Sequence, residues 1–306
     1  MSAPQVSLQT FVAQALDCTC THVHWLALDG GQTNIAMRRQ CACRDVVVKT
    51  YLLDRSSPIF RNDPDAEWSA LQNLHAAHLA PTPVYYGWHQ DQPILIYYFV
   101  EACSKSVNPR AAADLLNRLA AHNWAELPQW DLGSATLELR GDEMARHLTS
   151  DERSWVAQNR PHAAVLPHTG QSVCHGDFVG SNVLSVSGRP SERTDAAALA
   201  IDWQTPYRAS AAWDIAMYLS PSMQHRYGMQ SVNAAEFLSH ITDGTTVQHY
   251  LDLQAWFHWL LSIYALWRAK VWEDTAAAAD FQIEAAALEH IQREGRSAET
   301  SKKPDP

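Results

Sequence analysis

Short apolar or β-branched runs bounded by turn residues predict strands over His24–Leu28, 35–39, Val46–Tyr51, Val84–Trp88 and Ile94–Val100. Asp29-Gly30-Gly31-Gln32-Thr33-Asn34 and His89-Gln90-Asp91-Gln92-Pro93 supply turns between neighbouring runs. One helix interrupts them, opening with Asp63 as N-cap and Pro64 in its first turn. From about Pro109 the pattern becomes helical, with apolar periodicity over 111–124, 142–158, 211–225, 248–273 and 275–293. Val183–Val186 and Ala198–Ile201 read as a hairpin joined by the polar Ser187–Ser191. The pattern therefore predicts an α+β chain: an antiparallel-sheet lobe over 1–101, a mostly helical lobe over 102–294, and a polar, disordered tail over 295–306.

The 306 residues suffice for two lobes and a sizeable core. Lysine and arginine number 23 against 33 acidic residues, a net charge of −10 that argues against a general nucleic-acid binder and is compatible with a cationic small molecule. With no basic-then-apolar leader and no run of about 18 apolar residues, the expectation is a cytoplasmic protein without a membrane span. The oligomeric state is left open.

The chemistry concentrates in His175-Gly176-Asp177-Phe178-Val179-Gly180-Ser181-Asn182 and in Ile201-Asp202-Trp203. An aspartate five residues ahead of an asparagine, with a second aspartate closing a short apolar strand, supplies what phosphoryl transfer asks of a protein. That reaction needs positioning and charge neutralisation more than covalent help. Asp177 is the candidate base beside the attacking hydroxyl. Asn182 offers a neutral amide oxygen and Asp202 an anionic one, both suited to hard Mg²⁺. The hairpin between them brings both to one end.

Upstream, Gly30 and Gly31 would let backbone N–H groups approach phosphate oxygens, although local pattern alone favours an ordinary hairpin turn. Lys49 ends an unbroken β-branched run, where simple solvent exposure is a poor fit, and its ammonium could reach the α and β phosphates of ATP. Glu67, on the helix that opens at Asp63, is its candidate partner; an acidic residue in a helix's first turn is nearly as well explained by the helix dipole. Tyr98 and Val100, where the last strand leaves the sheet, are candidates to hydrogen-bond the adenine edge.

Taken in order, glycine turn, lysine, glutamate, HGDxxxxN and IDW resemble the aminoglycoside phosphotransferase and choline kinase superfamily, relatives of the protein kinases, over residues 22–290. Gly30-Gly31-Gln32-Thr33-Asn34 is similar to the GGxTN turn of choline kinase and thiamine kinase relatives, which adds Asn34 to the nucleotide-binding candidates. The resemblance implies a two-lobed fold with ATP between the lobes, Asp177 as base, Asn182 and Asp202 as Mg²⁺ ligands, and Lys49 on the phosphates. Trp213-Asp214-Ile215-Ala216 matches the family's DIA segment, making Asp214 a support for the catalytic loop, and His175 is read as a brace of the same loop. Asp202-Trp203-Gln204 lacks the glycine of a protein kinase's DFG, and no activation segment follows, so protein substrates are not expected.

The expected acceptor is a hydroxyl on a small metabolite, preferably an amino alcohol such as choline or ethanolamine, or thiamine. Trp256, Trp259 and Trp267 lie in a run that is apolar nearly all round and resembles the aromatic helix of choline kinases; core packing is the first explanation for such a helix, and cation–π contact with an ammonium the second. An aminoglycoside or sugar is the alternative acceptor, with Asp131, Glu138 and Asp142 as residues that could receive a polycation or simply line a solvated helix face. A nucleotide-binding pseudokinase scaffold is the reading from another class, disfavoured because Lys49, Asp177, Asn182 and Asp202 are all present. Cys18, Cys20, Cys41 and Cys43 form two CxC pairs; that spacing is less typical of zinc than CxxC, so free thiols on neighbouring strands are expected.

Overall fold

A computed structural model describes residues 6–28, 33–103, 108–162, 165, 172–186 and 197–301. In chain order its first elements are α1 (Leu8–Ala15), β1 (Val23–Ala27), β2 (Asn34–Cys41), β3 (Asp45–Tyr51), α2 (Pro64–Leu74), β4 (Pro83–His89), β5 (Gln92–Tyr98), α3 (Pro109–Ala121), α4 (Ser134–Ala145) and α5 (Ser150–Gln158). There follow β6 (Ser172–Cys174), β7 (Val183–Val186), β8 (Ala197–Ala200), β9 (Tyr207–Ala209), α6 (Ala212–Leu219), α7 (Pro221–Arg226), α8 (Ala234–Ser239), α9 (Gly244–Val271) and α10 (Ala277–Ser301). The α+β organisation follows the hydrophobic pattern. Two compact units form, Met1–Lys105 with Asn182–Pro206 and Ser106–Ser181 with Tyr207–Pro306. The β7–β8 hairpin thus joins the first unit, whereas a boundary at 101/102 assigns it to the second.

In the first unit five strands pair antiparallel in the order β1-β2-β3-β5-β4. β3 is buried along nearly its whole length, which is why it reads as a continuous β-branched run. Val46 and Val48 pack with Ile94 and Ile96 of β5 and with Val12 and Leu16 from the α1 segment. α1 escapes the sequence pattern because its eight residues give too short a period, with Val12 its one buried side chain. α2 starts as expected: the Asp63 side chain accepts the Ala66 N–H at 3.0 Å, and Pro64 occupies the first turn.

In the second unit α9 is the central helix, packed by α10, α4 and α6. The expected helix over 142–158 is two helices, because Thr149 starts a new one with a capping box to Glu152. The one expected over 211–225 is likewise divided at Pro221, where Ser220 caps the new turn. α10 continues to Ser301, into the stretch expected as a polar tail from residue 295, and its earlier turns pack on α9 and α7. The remainder of that tail, 302–306, lies outside the described residues, as does the 187–196 connection between β7 and β8.

Candidate active site

Lys49 sits on the buried central strand, where an ammonium is tolerable only beside anions. It has two. Its Nζ is 2.6 Å from Glu67 Oε2 and also bonds Asp202 Oδ1, with the Lys49 side chain 5% exposed and that of Glu67 fully buried. Burial alone would strip the lysine of its proton, but Asp202 and Glu67 outweigh it and raise its pKa. Tyr51, two residues on and so on the same face of β3, donates its hydroxyl to Glu67. Glu67 Oε1 is buried with no hydrogen-bond partner among the described residues, and the carboxylate is held through Oε2 by one cation and one phenol.

Asp202 follows β8 and adopts a left-handed backbone, φ 67°, an uncommon conformation for a residue other than glycine and one that clusters at functional sites. The hairpin register pairs Val183 with Ala200, and Ile201 N–H donates to the Asn182 carbonyl at 2.8 Å. Asn182 and Asp202 therefore stand at the same end of β7–β8. Gln204 Nε2 donates to Asp202, while Gln204 Oε1 accepts from the Thr33 hydroxyl at 3.1 Å, tying the carboxylate to the end of the glycine turn. Neither Gln204 nor Tyr51 figures among the residues expected from sequence, although Gln204 falls inside the DWQ departure from DFG.

Asn34 is occupied inside the unit. Its Oδ1 accepts the Leu52 N–H at 3.0 Å, and its Nδ2 donates to Asn62 Oδ1 at 2.8 Å, so it clasps the end of β3 to the segment preceding α2. Gly30 and Gly31 lie outside the described residues. Tyr98 ends β5 with its backbone N–H already given to the Thr82 carbonyl at 3.0 Å, which removes that donor from the expected adenine contact; Val100 lies two residues further on.

In the second unit the His175-Gly176-Asp177 loop is clasped by the start of α6. Asp214, completely buried, accepts the N–H groups of His175 at 2.7 Å and Gly176 at 2.9 Å, and Trp213 Nε1 donates to the Gly176 carbonyl at 3.0 Å. Gly176 has φ 85°, a conformation in which a Cβ would be strained. The Asp177 N–H donates to His175 Nδ1 at 3.2 Å, which places the imidazole proton on Nε2. His175 thus shapes the backbone of the loop, and the Asp177 side chain is half-buried.

Of the three tryptophans, Trp259 is used up in packing: it is fully buried, its Nε1 donates to the Val156 carbonyl at 3.0 Å, and its ring lies against Gly141. Trp256 is buried edge-on against it, centroids 5.5 Å apart. Trp267 differs, because its buried Nε1 has no hydrogen-bond partner among the described residues. It stacks on Tyr264 at 6.1 Å and meets Trp272 edge-on at 5.1 Å. Tyr264 is held protonated first by burial and then by the nearby charge of Asp177, against the pull of Arg268 and Arg226. Tyr264 and Trp272 are absent from the sequence-based candidates; the three-residue helical spacing from Tyr264 to Trp267 was the available signal. Asp131, Glu138 and Asp142 already have partners: Asp131 accepts from Gly133 N–H and Thr136, and the other two pair with Arg160.

Replacing Lys49 with methionine should destabilise the protein by about 3–5 kcal/mol, because Glu67 loses its cation inside the protein. Adding Glu67→Met should restore much of the melting temperature. Thermal melts check this, and equal loss of stability in both variants would contradict it.

The ecdysteroid kinase-like family profile matches residues 116–240, the stretch that carries Asp177, Asn182, Asp202 and Asp214. Solved structures extend the likeness. The chain is 13% identical to a Plasmodium vivax ethanolamine kinase over 87% of this chain and 82% of that one, with a TM-score of 0.59. It is 13% identical to a thermostable mutant of aminoglycoside phosphotransferase APH(4)-Ia, in ternary complex with AMP-PNP and hygromycin B, over 95% and 99% of the two chains, with a TM-score of 0.63. It is 16% identical to an aminoglycoside 2'-phosphotransferase-IIIa in a GDP complex over 95% and 97%, with a TM-score of 0.63. No curated protein sequence matches the chain. Identities this low establish the fold, which is protein-kinase-like, and at that level the resemblance to the aminoglycoside phosphotransferase and choline kinase superfamily holds.

Proposed function

We propose that the protein transfers the γ-phosphoryl group of ATP to a hydroxyl of a small cationic metabolite, an amino alcohol of the choline or ethanolamine kind or thiamine. The Lys49–Glu67–Asp202 chain is the observation that carries phosphoryl transfer: a buried lysine held between two carboxylates, one of them in a left-handed turn, has no packing purpose that an apolar residue would not serve better. Lys49 holds phosphate oxygens. Asp202 and Asn182 form a hard-oxygen donor pair at one hairpin end, which fits Mg²⁺. Bound there, that ion would offset the charge on the phosphates. Asp177 orients the acceptor hydroxyl and takes its proton late, as the new P–O bond forms and the bond to the leaving ADP oxygen breaks. The neutral His175 keeps the loop backbone in place.

The cationic acceptor rests on Tyr264, Trp267 and Trp272, an aromatic cluster whose tyrosine feels the charge of Asp177. The cluster already holds one cation on a ring face, the Arg268 guanidinium 4.9 Å over Tyr264, and an ammonium would be attracted by the same cation–π interaction. The aminoglycoside or sugar reading loses its acidic patch, since those carboxylates are engaged in caps and ion pairs.

Incubation with ATP and Mg²⁺ across choline, ethanolamine, thiamine, hexoses and aminoglycosides tests the proposal through ADP release. Saturable turnover is expected with an amino alcohol or thiamine, and Trp267→Ala should raise its KM roughly 2- to 30-fold, the range a cation–π contact supports. Turnover confined to sugars or aminoglycosides would overturn the acceptor class. Silence across the whole panel would return the chain to a scaffold.

A further inference from the structure

Cys18, Cys20, Cys41 and Cys43 play no part in phosphoryl transfer, yet their four sulfurs all lie within 4.8 Å of one another. The Sγ–Sγ separations are 3.7 Å for Cys18–Cys41, 3.0 Å for Cys18–Cys43, 3.3 Å for Cys20–Cys43 and 3.2 Å for Cys41–Cys43. Cys18 and Cys20 lie between α1 and β1, Cys41 ends β2, and Cys43 lies in the turn to β3. Because Val23 pairs with Cys41, the register of β1 on β2 carries one CxC segment onto the other. The short spacing that argued against zinc in the sequence applies to each pair in isolation. The sheet assembles them into a four-sulfur set.

The size of that set matches a metal. In a tetrahedral site Zn²⁺ lies about 2.3 Å from each thiolate, which puts the sulfurs about 3.8 Å apart. Arg39 supplies an independent observation. It is 1% exposed, and its guanidinium donates to Cys41 Sγ at 3.3 Å and Cys18 Sγ at 3.2 Å. A guanidinium stays charged, and burying it is costly unless an anion meets it. Neutral thiols are weak acceptors that leave this charge uncompensated. Four thiolates around a divalent cation carry a net charge of about −2 and give the buried arginine an anionic partner that it lacks among the described residues.

We propose that Cys18, Cys20, Cys41 and Cys43 bind a structural Zn²⁺ in an all-thiolate tetrahedral site, with Arg39 as its buried counter-charge. Four protein ligands close the coordination sphere, so the ion fastens the fold and does not activate water. It staples the connection from α1 into β1 to the turn between β2 and β3. That corner adjoins the cluster of Val12, Leu16, Val46 and Val48, so the ion holds α1 on the sheet.

The untagged full-length protein, purified under reducing conditions without chelator, should contain about one zinc per chain by elemental analysis, and X-ray absorption should show four sulfurs at about 2.3 Å. The double variant Cys20→Ser/Cys43→Ser should lose the zinc and melt at lower temperature, while Cys103→Ser keeps both. Should the double variant fail to fold, the wild-type chain still decides. Stripping its metal should lower the melting temperature, Zn²⁺ alone should restore it, and Co²⁺ alone should give the visible bands of a tetrahedral thiolate site. A wild-type protein that holds no zinc and takes up neither ion overturns the proposal. So do iron in place of zinc, two disulfides found by mass, or zinc retained in full by the double variant.

Discussion

Asp177→Asn is expected to lower kcat by about 10²- to 10⁴-fold, the range a positioned general base contributes, while leaving nucleotide affinity little changed. The two side chains are nearly the same shape, and the backbone there is fixed by groups that the substitution does not touch: Asp177 N–H on His175 Nδ1 at 3.2 Å and Val179 N–H on the Asp177 carbonyl at 2.9 Å. What changes is the ability to accept a proton. Asparagine can orient the acceptor hydroxyl by hydrogen bond but cannot take its proton as the P–O bond forms. Lys49, Glu67 and Asp202, proposed to hold the nucleotide, keep the ion pairs that join them in this variant. Steady-state ADP production should therefore collapse while the thermal shift with nucleotide and Mg²⁺ persists. Wild-type turnover in the variant would remove Asp177 from the mechanism, and loss of the nucleotide shift would show that the residue does more than serve the acceptor.

Legibility in the sequence followed the range of the interactions. β3, α2 and the β7–β8 hairpin were readable because each is written in local signals: a β-branched run, an Asp-Pro helix start, two short apolar runs flanking a polar connection. The lysine–glutamate pair was within reach because a charged residue ending a buried strand demands a partner. Gln204 was not, since its role depends on Thr33, far away in the chain. Asn34 shows the reverse case. Its motif position suggested a ligand contact, whereas its amide is engaged with Leu52 and Asn62. Helix ends misled where a cap overrode periodicity, as at Thr149 and Ser220, because apolar spacing continues across a break that one hydroxyl imposes. The convergence of the four cysteines was out of reach for a related reason: pairwise spacing along the chain carries no information about which strands lie side by side.

Asp214→Ala should damage stability as well as activity, because it removes the acceptor for two backbone N–H groups that have no water to turn to. His175 and Gly176 are both buried, and each orphaned donor costs about 1–3 kcal/mol, so the loss is roughly 2–6 kcal/mol against a typical total of 5–15. Asp214→Asn is milder, since it retains one acceptor oxygen, and it allows a test through pH. Burial pushes the Asp214 carboxyl up to about 7, in spite of the two N–H donors that favour its charged form. A carboxyl raised in this way favours the folded state while protonated; that contribution is complete below the unfolded value of about 3.9 and disappears as pH rises through about 7. Asparagine has no proton to lose there. The gap in melting temperature between wild type and Asp214→Asn should therefore be widest near the acid end and narrow toward pH 8. A gap that stays constant with pH would mean that Asp214 is ionised throughout, and an alanine variant as stable as wild type would mean that the clasp on the loop is dispensable.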